Sequence, residues 1–182
     1  EWLANQTEAE NKYGHISTWD TSQVKQMSAL FSNFRNGNCK NFNDDISNWD
    51  VSKVENMDNM FHRAESFNQP LNSWDVSSVT GMSDMFNRAS SFNQPLDSWD
   101  VSSVTNMYCM FGCVESFNQP LNNWDVSNVK NMNFMFFGCK KFNQPLNSWD
   151  VSSVTTMHAM FDKAKSFNKK NALWYNCTQK VK

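Results

Sequence analysis

Large apolar residues and short polar runs alternate on a fixed period, seen most plainly over residues 67–91, FNQPLNSWDVSSVTGMSDMFNRASS. The unit recurs every 25 residues. Trp49, Trp74, Trp99, Trp124, Trp149 and Trp174 keep that spacing, as do Phe42, Phe67, Phe92, Phe117, Phe142 and Phe167. Trp19 lies 30 residues before Trp49, which places a five-residue insertion near 32–41. Repetition on this period predicts stacked supersecondary units, none of which buries its apolar face alone.

Within a unit, Val79, Met82, Met85, Phe86 and Ala89 stand at offsets 0, 3, 6, 7 and 10. At about 100° per residue they share an arc of roughly 120°, which predicts a short amphipathic helix. Ser77 stands where an N-cap is wanted, and Ser22, Ser52, Ser102, Ser127 and Ser152 match it. Before the cap, Trp74 and Val76 alternate with Ser73 and Asp75, the period of a short strand starting after Pro70. The expected fold is therefore an α/β, leucine-rich-repeat-like solenoid of six strand-turn-helix units. Its strands would form a parallel sheet at about 4.8 Å per unit, a rod about 30 Å long. Residues 1–18 read as an N-terminal cap whose helix ends at Gly14, 19–168 as the repeat array, and 169–182 as a C-terminal cap or truncated seventh unit.

Composition follows from the slots. All 11 Met occupy two positions of the unit, with Leu30 as the substitute, and 12 of the 15 Phe are slot residues. Core packing explains the Met stripe better than a metal or lipid cluster does. Phe34, Phe134 and Phe137 fall outside the slots. A net charge of −2 from 16 basic and 18 acidic residues gives no lean toward nucleic acid. No window approaches the roughly 18 apolar residues of a membrane span, and Glu1 opens the chain without a leader pattern. The chain thus reads as soluble, without direct membrane insertion, or as the excised part of something longer. Five cysteines match neither a paired disulfide framework nor a C-x-x-C zinc site. Cys39 and Cys139 stand in an Ala slot, and Cys113 lies near enough to Cys139 for a disulfide to be one option.

Two polar ladders run through the units. Asp20, Asp50, Asp75, Asp100, Asp125 and Asp150 follow the slot Trp, so stacking would bring like charges close together. An Asx turn, with each carboxylate accepting from the amide two residues on, offsets this; a shared divalent cation is the other explanation. Asn43, Asn68, Asn93, Asn118, Asn143 and Asn168 follow the slot Phe, where a buried amide can bond to backbone in its own and the next turn. His15, His62 and His158 have no metal-ligand spacing, and no phosphate loop occurs. Neither an enzyme nor a cofactor is expected. Asn5 and Asn176 lie in Asn-x-Thr sequons, usable if the source glycosylates. Tyr108, Phe134 and Phe137 break a polar run in adjacent units, either as a docking patch for a protein or sugar ring or as lateral packing of the helix layer.

The unit FNQPLxxWDVSxVxxMxxMFxxA resembles the 25–26-residue repeats of bacterial and mycoplasmal surface proteins grouped with the BspA-like leucine-rich repeats. The likeness covers about residues 15–168. It implies a repeat array on a cell surface, without catalysis and without an assigned ligand. The expected function is that of a non-catalytic extracellular or surface-displayed module for adhesion or protein or glycan interaction. The alternative is a structural subunit of a fibre, sheath or virion-surface assembly, whose partner is itself.

Overall fold

The computed structural model describes residues 1–35 and 37–175. The chain winds into six stacked coils that begin at Trp19, Trp49, Trp74, Trp99, Trp124 and Trp149, but the expected α/β solenoid with a parallel sheet does not form. Among the described residues, regular structure consists of one helix, α1 (Gln6–Tyr13), and two 3-10 turns, Ile16–Thr18 and Lys169–Asn171. β-type pairing is limited to a line of isolated parallel bridges through Gln26, Asn56, Gly81, Asn106, Asn131 and Thr156, one residue per coil.

The predicted helices are pairs of tight turns. In coil 2, Met60 N–H donates to Met57 O and Ala64 N–H to Phe61 O, with Asn59 and Arg63 at positive φ in the third place of each turn. That is the geometry a type II turn requires. Coil 3 repeats it with Asp84 and Arg88, coil 4 with Cys109 and Cys113, and coil 5 with Phe134 and Gly138. Two consecutive four-residue turns put their corner residues at i, i+3, i+4 and i+7, the spacing of an amphipathic helix face. Alternate amides point along the stack instead. Met57, Asn59, Phe61 and Arg63 donate to Gly81, Ser83, Met85 and Asn87 of the next coil at 2.7–3.0 Å. Thr80 N–H returns one bond to Glu55 O at 2.9 Å.

Local chemistry selects turns over helix. Asn56, Asn106 and Asn131 each accept, through Oδ1, the amide two residues on at 2.8–3.1 Å, a bond that competes with helical pairing. Gly81 has no such side chain, and Asp58 of the preceding coil takes over by accepting Ser83 N–H at 2.7 Å. The substitution is steric as well, since a Cβ at Gly81 would stand 3.0 Å from Asp58 Oδ1. We therefore expect Asp58→Ala to lower stability by about 1–2 kcal/mol through the orphaned amide. Adding Gly81→Asn should recover most of it, because Asn at that place supplies its own acceptor. Denaturant midpoints of the single and double variants check this.

The short predicted strand is likewise an extended link between two turns, Leu71–Trp74 and Val76–Val79, each closed by its own bond. Ser77 and its equivalents cap no helix. The predicted interior is nevertheless the observed one: Phe67, Leu71, Trp74, Val76, Val79, Met82, Met85 and Phe86 are all buried. Phe rings stack along the axis, Phe61 on Phe86 at 5.5 Å, Phe86 on Phe111 at 5.7 Å and Phe111 on Phe136 at 5.6 Å. From Trp49 on, each slot Trp donates to the carbonyl three places before the preceding slot Trp, as Trp99 Nε1 does to Leu71 O at 2.8 Å and Trp124 to Leu96 O at 2.9 Å. Burying the indole without that bond would orphan its N–H.

Both ends carry additional cover. α1 is capped by Asn5, whose Oδ1 accepts Glu8 N–H, and ends at Gly14 with φ 76°. Trp2 is buried beside it, donates to Asp44 Oδ2 at 2.7 Å and meets Trp19 edge-on. At the other end Trp174 keeps the Trp slot, donating to Leu146 O at 2.8 Å, and Tyr175 packs edge-on to Phe161 at 4.9 Å.

Candidate functional site

The paired turns form one bend of every coil, and many of the side chains that vary between coils lie there. Tyr108, Phe134 and Phe137 come together on this bend, on turns where helices were expected. Tyr108 meets Phe134 edge-on at 5.9 Å, and Phe134 meets Phe137 at 5.8 Å. His158 from coil 6 joins at 5.4 Å from Phe134, and Lys163 Nζ stands 4.9 Å from the Phe137 ring centre. Tyr108 is exposed; both Phe residues are half-buried. Phe134 also holds φ 58°, a left-handed backbone that an aromatic residue rarely adopts. In the sequence His158 reads as an equivalent of these positions without being assigned to the patch, and Lys163 escapes the sequence reading.

The same bend continues toward the N-terminus with different residues. Phe34, 71% exposed, stacks on His62 at 5.8 Å, and the Arg63 guanidinium lies 5.8 Å from its ring centre. Arg88 occupies the Arg63 place one coil on. Phe34 belongs to the insertion, so its partners could not be read from the period.

The carboxylate ladder is built from Asx turns. Asp50, Asp75, Asp100, Asp125 and Asp150 accept the amides of Ser52, Ser77, Ser102, Ser127 and Ser152 at 2.9–3.1 Å. The Ser102 hydroxyl and then its amide hold Asp100 below the ordinary aspartate range. Ser127 does the same for Asp125, which the carboxylates of Asp100 and Asp150 push weakly back. The amide ladder crosses between coils: Asn68, Asn93, Asn118 and Asn143 donate N–H to the Oδ1 of Asn43, Asn68, Asn93 and Asn118 at 2.8–2.9 Å. These amides are half-buried to exposed rather than buried. Each ladder residue commits its Oδ1 to the turn or to the next coil.

Cys39, Cys109, Cys113 and Cys139 are free thiols, so Cys113 and Cys139 are not bridged. Cys139 is fully buried and donates to Phe111 O at 2.8 Å. Burial pushes the Cys109 thiol up to about 12 and Cys39 to about 11, which leaves neither a nucleophile at neutral pH. Among the described residues no group of three or more His, Cys, Asp and Glu could hold a metal ion, and no helix is long and apolar enough to cross a membrane. Asn5 is exposed, with its amide engaged by Glu8; Asn176 lies outside the described residues.

Searches of curated proteins and of solved structures find no match to the chain. One protein family does match, twice and with overlap, over residues 3–120 and 94–182. Two overlapping matches are what a long run of one 25-residue unit produces. The chain therefore belongs to the repeat family described as Mycoplasma protein of unknown function, DUF285.

Proposed function

We propose that this protein is a non-catalytic interaction module displayed on a cell surface or outside the cell, of the kind found among BspA-like surface proteins, and that it docks its partner on the bend carrying Tyr108, Phe134 and Phe137. The observation that carries this reading is Phe134. Its slot holds Asn59, Asp84, Cys109 and Ala159 in neighbouring coils, all smaller. A large ring held at positive φ and left half-exposed adds little to the core at a backbone penalty of about 1 kcal/mol or more. A ring that contributes more in a complex than in the free chain accounts for that position. The repeated carboxylates and amides are absorbed by turns and coil-to-coil bonds, which leaves the variable bend as the source of specificity.

The test is the double variant Phe134→Ser, Phe137→Ser. Binding to intact host or partner cells should fall at least about tenfold, as expected when aromatic anchors are lost, with the unfolding free energy kept within about 1 kcal/mol. Unchanged binding by a folded double variant would refute the docking site. Wild-type self-association that the same variant abolishes would replace the reading with that of an assembly subunit.

A further inference from the structure

Beside the aromatic cluster, on the same bend but in coils 2 to 4, lies a shallow groove of about 270 Å³ lined by Arg63, Glu65, Arg88, Ser90, Cys113 and Glu115. Its charge arrangement is unusual. Two guanidinium groups stand one coil apart, while the carboxylates on the rim are turned to other cations: Glu65 to Lys40 at 3.4 Å and Glu115 to Lys140 at 2.6 Å. Asp84, the next acidic group, accepts Asn87 Nδ2 at 2.6 Å. Among the described residues neither Arg63 nor Arg88 has a carboxylate within ion-pair distance. Arg63 Nε and the neighbouring His62 Nδ1 are moreover buried without a hydrogen-bond partner. Buried polar groups are normally paired, and a guanidinium donor left over beside a second one suits an incoming oxyanion.

We infer that this groove binds an acidic saccharide, its carboxylate or sulfate group held between Arg63 and Arg88 and its ring lying against the exposed Phe34. Guanidinium forks match planar carboxylates and sulfate oxygens through paired N–H donors, which a lysine in either place could not do. Ser90 adds a hydroxyl that donates to Glu65 O at 3.4 Å and keeps its lone pairs for a saccharide hydroxyl. An extended acidic peptide fits less well because the main chain here is already consumed: Arg63 and Arg88 donate their N–H groups to Asn87 and Gly112, and Ser91 donates to Glu65. A peptide would find side-chain donors and no free backbone edge to pair with. This inference deepens the surface-binding reading and rests on it for the face, while depending on different residues.

Isothermal titration calorimetry of the whole chain tests it, with four probes of similar length: a sulfated heparin hexasaccharide, an unsulfated hyaluronan hexasaccharide, neutral maltohexaose and hexaglutamate. Binding of either acidic saccharide at least about tenfold tighter than of maltohexaose and of hexaglutamate is expected. The first two probes separate a sulfate site from a carboxylate site. Arg88→Gln and Arg63→Gln should each weaken the acidic saccharide about tenfold, and Arg→Lys at either place should restore only part. Arg88→Gln decides the matter if Arg63→Gln fails to fold. Equal affinity for maltohexaose or hexaglutamate, affinity unmoved by a folded Arg88→Gln, or no saccharide binding would overturn the inference. Loss of cell binding on Phe134 and Phe137 substitution, with saccharide affinity intact, would keep the two sites apart.

Discussion

Phe111→Ala is expected to remove about 3–5 kcal/mol of stability, as for full truncation of a buried phenylalanine, a large share of what a chain of this size holds. Phe111 is fully buried in coil 4 and lies between Phe86 and Phe136 on the axis, with Phe117 at 4.3 Å and Trp124 at 6.2 Å in its own layer. Stacked coils touch only their neighbours, so a hole at this level weakens two interfaces. Phe161 provides the internal control. It is half-buried in coil 6, with an axial Phe partner on one side. Phe161→Ala should therefore cost about half as much. Urea midpoints of the two variants should rank in that order; equal losses would mean that the stack does not transmit stability from coil to coil.

Asn118→Ala is expected to cost about 2 kcal/mol, or about 4–8 °C in Tm for a chain of this length. Asn118 Oδ1 accepts both Asn143 N–H at 2.9 Å and Gln144 Nε2 at 3.1 Å from the next coil. Truncation leaves a backbone donor at the coil interface with no acceptor, while the apolar area removed is small. Asn118→Asp keeps an acceptor oxygen and should retain most of the stability at neutral pH. Calorimetric melting of the two variants separates the hydrogen bond from the side-chain volume. If the two melt together, the amide ladder is not what ties the coils.

The interior was legible because its signal is positional. Phe67, Leu71, Trp74 and their copies recur on one period, and any stacked arrangement buries them. The elements between were not, because i, i+3, i+4, i+7 spacing belongs to paired turns as much as to helices. The usual marks of a left-handed residue were also sparse: Asn59 and Gly138 carry them, but Arg63, Cys109, Phe134 and Lys163 stand at places where glycine or asparagine would have announced a turn. One signal was present and passed over: Asn56, Asn106 and Asn131 recur in a single slot and divert the amide two residues on. The aromatic patch was visible as Tyr108, Phe134 and Phe137 departing from their slots. Phe34 stood out as a ring outside the slots, but its place beside Arg63 on the bend did not, because the insertion and the turns set it.

Amides on the bend bond along the stack rather than within a helix. Scalar coupling across hydrogen bonds, measured by NMR on deuterated protein, tests it residue by residue. Phe86 N–H is expected to couple to the carbonyl of Met110, which it meets at 2.9 Å in the next coil, and Arg88 N–H to that of Gly112. Coupling of Phe86 N–H to the carbonyl of Met82, four residues back, would show a helix and contradict the account.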